Sequence, residues 1–179
     1  GAAYWPRGAT KPRLFGNLDD VFLQSRPKRG LLTPSEVRCI ALAELELGHE
    51  SIVWDVGAGS GALAIAAASI ASSGKVFAIE MDAEDYNLML QNAERFDVPA
   101  LVPVHGQAPD AWASLPDPNA VFVGGSGRIV PDLVAGAAGR MQSGRIVANV
   151  SSPDNLVAVQ AVMETAGFRT EVRMIYIAR

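Results

Sequence analysis

Ile52-Val53-Trp54-Asp55-Val56-Gly57-Ala58-Gly59-Ser60-Gly61 decides how the rest of this chain reads. Its β-prone start, Ile52 to Trp54, runs into glycines at 57, 59 and 61, and Ala62 to Ala68 beyond them are strong helix formers. The glycines therefore sit at a strand-to-helix turn, where they permit unusual φ angles and close approach of a ligand. The helix that follows starts with unpaired N–H groups and a partial positive charge, which suit a carboxylate or phosphate. The anionic end of a cofactor is therefore expected at this turn.

The spacing leaves two cofactors open. Gly57, Gly59 and Ala62 satisfy the dinucleotide fingerprint G-x-G-x-x-G/A, and Glu80 stands where such folds place the acid that holds a ribose. Two details lean toward S-adenosylmethionine over NAD. The third glycine falls at Gly61, and Asp55 closes the strand where dinucleotide folds usually carry an apolar residue, in a position to face an ammonium group. Plainer readings of the same residues are a glycine-rich turn without a ligand and Asp55 as a helix cap.

The 179 residues suffice for one domain with a substantial core, and 49% hydrophobic against 19% charged residues excludes a disordered or fibrous chain. No apolar run reaches the ~18 to 20 residues of a membrane span, and GAAYWPRG lacks an apolar signal core, so a soluble, cytoplasmic protein is expected. Cys39 has no partner for an internal disulfide, and His49 and His105 are too few for a metal site, so no metal is expected. The net charge of −4 is uneven: residues 1–30 carry +4, from six cations and two aspartates, and the remainder carries −8. A basic arm on an acidic body can meet an anionic ligand or serve as a solvated leader; with a pI near 5.1 it makes a poor nucleic-acid footprint. Residues 1–30 read as a leader or interdomain linker and 31–179 as the catalytic domain.

Beyond the arm, strands and helices alternate. Thr33-Pro34-Ser35-Glu36 has a capping-box pattern, with Thr33 as cap, Pro34 in the first turn and Leu32 stapled onto Val37, and predicts a helix over about 34–46. Strands are expected at 52–54, 75–80, 100–104, 120–123, 145–150 and 169–178, and helices after the glycine loop and over 83–95, 131–140 and 153–166, with Asp82 starting one and Gly167 stopping another. Such alternation implies a doubly wound, mostly parallel sheet. Ligands bind such sheets beyond the carboxyl ends of the strands. Asp55 to Gly61, Glu80, His105 to Ala108, Gly124 to Gly127 and Asn149 to Ser152 all fall there, and Glu80 is suited to accept from both ribose hydroxyls.

Several stretches together resemble the decarboxylating precorrin-6B methyltransferases of corrin biosynthesis, over most of the chain. They are GLLTPSEVR (30–38), WDVGAGSG (54–61), FAIEMD (77–82), HGQAPD (105–110), VFVGGSG (121–127) and GRIVAN (144–149). The resemblance implies a class I S-adenosylmethionine-dependent, Rossmann-like fold and methylation of carbon 15 of a tetrapyrrole with loss of the ring C acetate as carbon dioxide, in cobalamin biosynthesis. It implies donor contacts at Thr33, Gly57, Ala58, Gly59, Ser60, Gly61, Glu80 and Ala108, to which Asp55, from its place at the strand end, and Gln107 are added as donor-site candidates. It puts Gly124, Gly125, Ser126 and Gly127 beside the substrate, with no catalytic residue assigned. It further implies a homo-oligomer, a homotetramer in the family, and in some members fusion to a second, carbon 5 precorrin methyltransferase.

Three departures accompany the match. Pro34 stands where the family commonly has lysine, Gln107 replaces a common aspartate, and the chain ends at Arg179 where a typical member continues into a seventh, antiparallel strand. An absent seventh strand would leave the edge of the sixth unprotected. A polycarboxylate substrate calls for cations, for which Arg26, Lys28, Arg29 and Arg128 are the candidates. No general base is evident, which suits a substrate that generates its own nucleophile. An RNA adenine methyltransferase of the same fold and an NAD-dependent oxidoreductase stand as alternatives; the acidic body speaks against the first, and the lack of a Tyr-x-x-x-Lys pattern or catalytic histidine against the second.

Overall fold

Five parallel strands lie in the order β3-β2-β1-β4-β5, in a computed structural model that describes residues 13–25, 32–124 and 128–178. The strands are β1 (Ile52–Val56), β2 (Lys75–Glu80), β3 (Leu101–His105), β4 (Ala120–Val123) and β5 (Arg145–Ala148). The helices are α1 (Ser35–Glu44), α2 (Ala62–Ile70), α3 (Ala83–Phe96), α4 (Val130–Ala138) and α5 (Pro153–Thr165). Central β1 pairs with β2 on one side and β4 on the other, setting Asp55 opposite Ala78 and Phe122. The chain winds outward to β3, then returns across β1 to start β4, so the strand order reverses at β1.

Period-two alternation sends side chains of β1 to opposite faces, and both faces are covered. Val53, Ala78 and Phe122 pack with Leu42 of α1, Leu45 just after it, the apolar α2 and Met89 of α3. Trp54, Phe77 and Val121 pack on the other face with Val134 of α4, Met163 of α5 and Trp112, whose ring stacks on Trp54 at 5.1 Å. No helix among the described residues is long and apolar enough to cross a membrane.

Most element boundaries fall within two residues of expectation. Asp82 does cap α3, its carboxylate accepting from the Glu84 and Asp85 amides at 2.9 and 3.0 Å. Two expectations are corrected. Thr33 does not cap α1: Pro34 occupies the cap position in an extended conformation, and the Thr33 carbonyl instead accepts a hydrogen bond from Arg38 at 2.6 Å. Glu36, the other half of the expected capping box, accepts from the Ser35 hydroxyl.

The second correction concerns residues 169–178, which form no strand, leaving five strands among the described residues rather than six. A β-prone sequence becomes a strand only when a neighbouring edge takes its amides and carbonyls. Here Arg173 anchors the segment through its side chain to Glu44 of α1 and to Glu171, while Met174 and Tyr176 stand almost fully exposed. A cavity of about 390 Å³ lies between α1, β5 and this segment.

Residues 13–25 form a strap across α1 and α3. Phe22 is buried, stacked on Phe96 at 4.9 Å with the Arg38 guanidinium over its ring at 5.1 Å. Arg38 is only 3% exposed, and besides Thr33 it donates to Asp19 at 2.7 Å and to the Asn17 carbonyl at 2.5 Å. A buried guanidinium is tolerable only with its donors so occupied. Arg38→Met should therefore lower the unfolding free energy by about 2–4 kcal/mol, since two carbonyls and a carboxylate lose their donor. Asp19→Asn should cost less, because Asp19 is partly exposed and can be rehydrated. Urea denaturation at neutral pH gives both values, and equal losses would show that the ion pair, not the fork of carbonyl contacts, holds the strap.

Candidate functional site

The turn after β1 is fixed from three sides. Gly57, Gly59 and Gly61 take φ values of 76°, 55° and 85°, in the left-handed region open to glycine. The Gly57 and Ala58 amides both donate to the Ile79 carbonyl of β2, each at 3.0 Å. The Gly59 amide donates to Glu80 Oε2 at 2.7 Å, while Glu80 Oε1 accepts from the Asp82 amide at 2.8 Å. A Cβ at Gly57 would come within 3.0 Å of the Gly124 carbonyl after β4, and one at Gly61 within 2.8 Å of Met89 Cγ. A Cβ at Gly59 would meet nothing within 4 Å, so at that residue the loop faces open space.

What remains unpaired shows what the loop can bind. The first intrahelical bond of α2 runs from the Ile65 amide to the Gly61 carbonyl at 2.9 Å, so the amides of Ala62, Leu63 and Ala64 precede the helical ladder. Glu80 is 8% exposed, and each of its oxygens keeps a second lone pair after accepting one backbone amide. It can serve the loop and a pair of hydroxyls together.

Asp55 is the unusual group. It is 1% exposed at the penultimate residue of β1, and neither carboxylate oxygen has a hydrogen-bond partner. Burial pushes its pKa up to about 7, the negative charge of Glu80 adds to the rise, and the Ala64 amide opposes it without reaching hydrogen-bond geometry. A buried carboxylate left this way is costly in the free protein and complementary to a cation. The pieces suit a zwitterion: α-helical amides for its carboxylate, Asp55 for its ammonium group and Glu80 for adjoining hydroxyls. S-adenosylmethionine fits this set.

The other expected positions are distributed around the same edge. Ala108 is buried and Gln107 exposed beyond β3, where the Gly106 amide donates to the Glu80 carbonyl at 2.9 Å. His105 stacks on Tyr86 of α3 at 4.8 Å. Ser60 is buried, Thr33 half-buried ahead of α1 and Arg128 exposed ahead of α4. Arg26, Lys28, Arg29, Gly125, Ser126 and Gly127 lie outside the described residues. Sequence reasoning missed Met89 and Asn92 of α3, which seat the loop from behind; a polar Asn92 three residues after an apolar Met89 is the faint trace of it.

Residues 26–179 match the family model for the precorrin methyltransferase domain. The chain is 38% identical over 150 residues to the probable cobalt-precorrin-6B C(15)-methyltransferase (decarboxylating) of Pyrobaculum calidifontis, covering 83% of this chain and 77% of that protein. It is 35% identical over 125 residues to the Sinorhizobium precorrin-6Y C(5,15)-methyltransferase, covering 70% of this chain but 30% of that longer protein. The crystal structure of precorrin-6Y C5,15-methyltransferase from Geobacter metallireducens superposes with a TM-score of 0.84 at 31% identity, covering 91% of this chain and 86% of that one.

The raised pKa of Asp55 has a consequence for stability. The folded state holds its proton more tightly than the unfolded state, so this group's contribution is complete below pH about 4 and is lost as pH rises through about 7. Asp55→Asn should remove that slope and make the ligand-free variant more stable than the parent at pH 8, by up to about 2–4 kcal/mol, while the two nearly match at pH 4. Urea titrations at both pH values test this. A difference independent of pH would mean that Asp55 ionises normally.

Proposed function

The chain belongs to the precorrin methyltransferase family, and from that premise we propose that it methylates carbon 15 of a precorrin-6B-type tetrapyrrole, with loss of the ring C acetate carboxyl as carbon dioxide. It is an S-adenosylmethionine-dependent enzyme of cobalamin biosynthesis. The observation that carries the reading is the buried, unpartnered Asp55 carboxylate beneath the first amides of α2, beside Glu80.

The donor supplies an electrophilic methyl group on a sulfonium centre. Around it, the amides at the start of α2 hold a carboxylate, Asp55 compensates an ammonium charge, and Glu80 accepts from ribose hydroxyls with the lone pairs the loop leaves free. Gly57 to Gly61 bring backbone within contact distance, and Thr33, Gln107 and Ala108 complete the donor's surroundings. Gly124 to Gly127, with Arg26, Arg29 and Arg128, take the polycarboxylate substrate, the arginines pairing with its carboxylates.

Loss of carbon dioxide leaves a bonding electron pair in the conjugated macrocycle, so carbon 15 becomes nucleophilic without a proton being removed. The protein's part is then to position the reactants and exclude water, which requires no acid or base. β4 supplies none: its residues are Ala120 to Val123, followed by Gly124. In this reading the enzyme works in the cytoplasm as a homo-oligomer, a homotetramer being the expected form, and fused to or beside a carbon 5 precorrin methyltransferase.

Calorimetric titration with S-adenosylhomocysteine should give micromolar binding at one site per chain, with none for NAD in parallel. Binding of NAD alone, or of neither, would overturn the assignment. In turnover assays with a precorrin-6B substrate, Arg128→Ala should raise KM roughly threefold to tenfold with a smaller change in kcat, the loss of one partly solvated ion pair. An unchanged KM removes Arg128 from the substrate site.

A further inference from the structure

One side chain joins the donor loop to the strap. Asn92 of α3 is 0% exposed, and both of its amide hydrogens are engaged. Nδ2 donates to the Ser60 carbonyl at 2.9 Å and to the Leu23 carbonyl at 3.0 Å, while Oδ1 accepts from the Leu23 amide at 2.9 Å. The carboxamide thus pairs with Leu23 as a neighbouring strand would, and spends its remaining hydrogen on the loop. The orientation is unambiguous, because a flipped amide would set its oxygen against two carbonyls.

Ser60 and Gly61 share a peptide unit that is fixed at both ends. Its carbonyl is held by Asn92, and its amide donates to the Ala58 carbonyl at 2.9 Å. Met89, one helical turn before Asn92 on the same face, presses against Gly61. The orientation of that peptide sets where the following amides of α2 point. The strap is fastened on either side of Leu23: Phe22 is buried against Phe96, and the Ser25 hydroxyl hydrogen-bonds to Asp85 in the first turn of α3.

We propose that Asn92 is a positioning residue of the donor site, and that through it donor binding tightens the packing of the strap around Leu23. A planar carboxamide cannot follow a displaced Ser60 carbonyl without misaligning both bonds to Leu23, so loop and strap share one equilibrium. The inference rests on the assignment of this loop to the donor.

Hydrogen exchange of the whole chain, with and without saturating S-adenosylhomocysteine, reads this coupling. In the parent protein the Leu23 amide should exchange about tenfold more slowly when the ligand is bound, although Leu23 lies outside the donor loop. Asn92→Ala should weaken ligand binding roughly tenfold to a hundredfold, the effect of leaving buried carbonyls without a donor, and should abolish the ligand dependence of exchange at Leu23. Gln91→Ala, on the exposed face of α3, should change neither quantity. A purely structural role for Asn92 would alter baseline exchange but leave the ligand-induced change intact, and that result would overturn the proposal. So would a parent protein that binds the ligand with no change at Leu23, a measurement that needs no variant to fold. Failure of the parent protein to bind S-adenosylhomocysteine would instead overturn the donor assignment, and this inference with it.

Discussion

The carboxyl edge of this protein depends on how closely the chain passes itself where β1 and β4 end. Gly57 and Gly124 bring their backbones so near that a methyl group on either would press on the other's carbonyl. The contact follows from topology: strand order reverses at β1, so the helix after β1 packs on one face of the sheet and the helix after β4 on the other. Glycine at both positions lets the parallel pairing of β1 and β4 continue to that point, with the Gly124 amide still bonded to the Val56 carbonyl at 2.8 Å.

Above that contact the protein keeps an electrostatic debt. Asp55 is buried without a partner and lies near Glu80, whose own carboxylate is occupied in shaping the loop. The cost falls on free-state stability, and a dry, unpartnered anion of this kind is complementary to a cationic group, an arrangement common where binding matters more than rigidity. The two acids divide the work by environment. Glu80, satisfied by backbone amides, fixes the loop, whereas neither oxygen of Asp55 is engaged by the protein.

Behind the loop, support comes from polar groups that periodicity does not advertise. Arg38 would pass as a surface cation on α1 and Asn92 as a solvent-facing residue on α3, yet both are buried and both hold the strap 13–25. Their partners in the strap stand 19 to 21 and 69 residues away in sequence, so their roles depend on which segments the fold brings together. The strap itself, with Phe22 in the core, lies within a stretch whose composition reads as a basic leader.

Local sequence determined what local physics controls. The glycine spacing specified left-handed turns, Asp82 began α3, Gly167 ended α5, and the regular alternation of apolar strands with helices required a parallel sheet. The motif residues Asp55 and Glu80 were legible because strand ends in such a sheet converge on one edge. Tertiary structure decided what depends on a distant partner. Thr33 has no capping role because Pro34 takes the cap position, and residues 169–178, strand-like in composition, remain unpaired because pairing is a property of two segments. The protonation of Asp55 and the burial of Asn92 belong to the same class, since desolvation and hydrogen-bond satisfaction are set by the surrounding fold and not by the residues themselves.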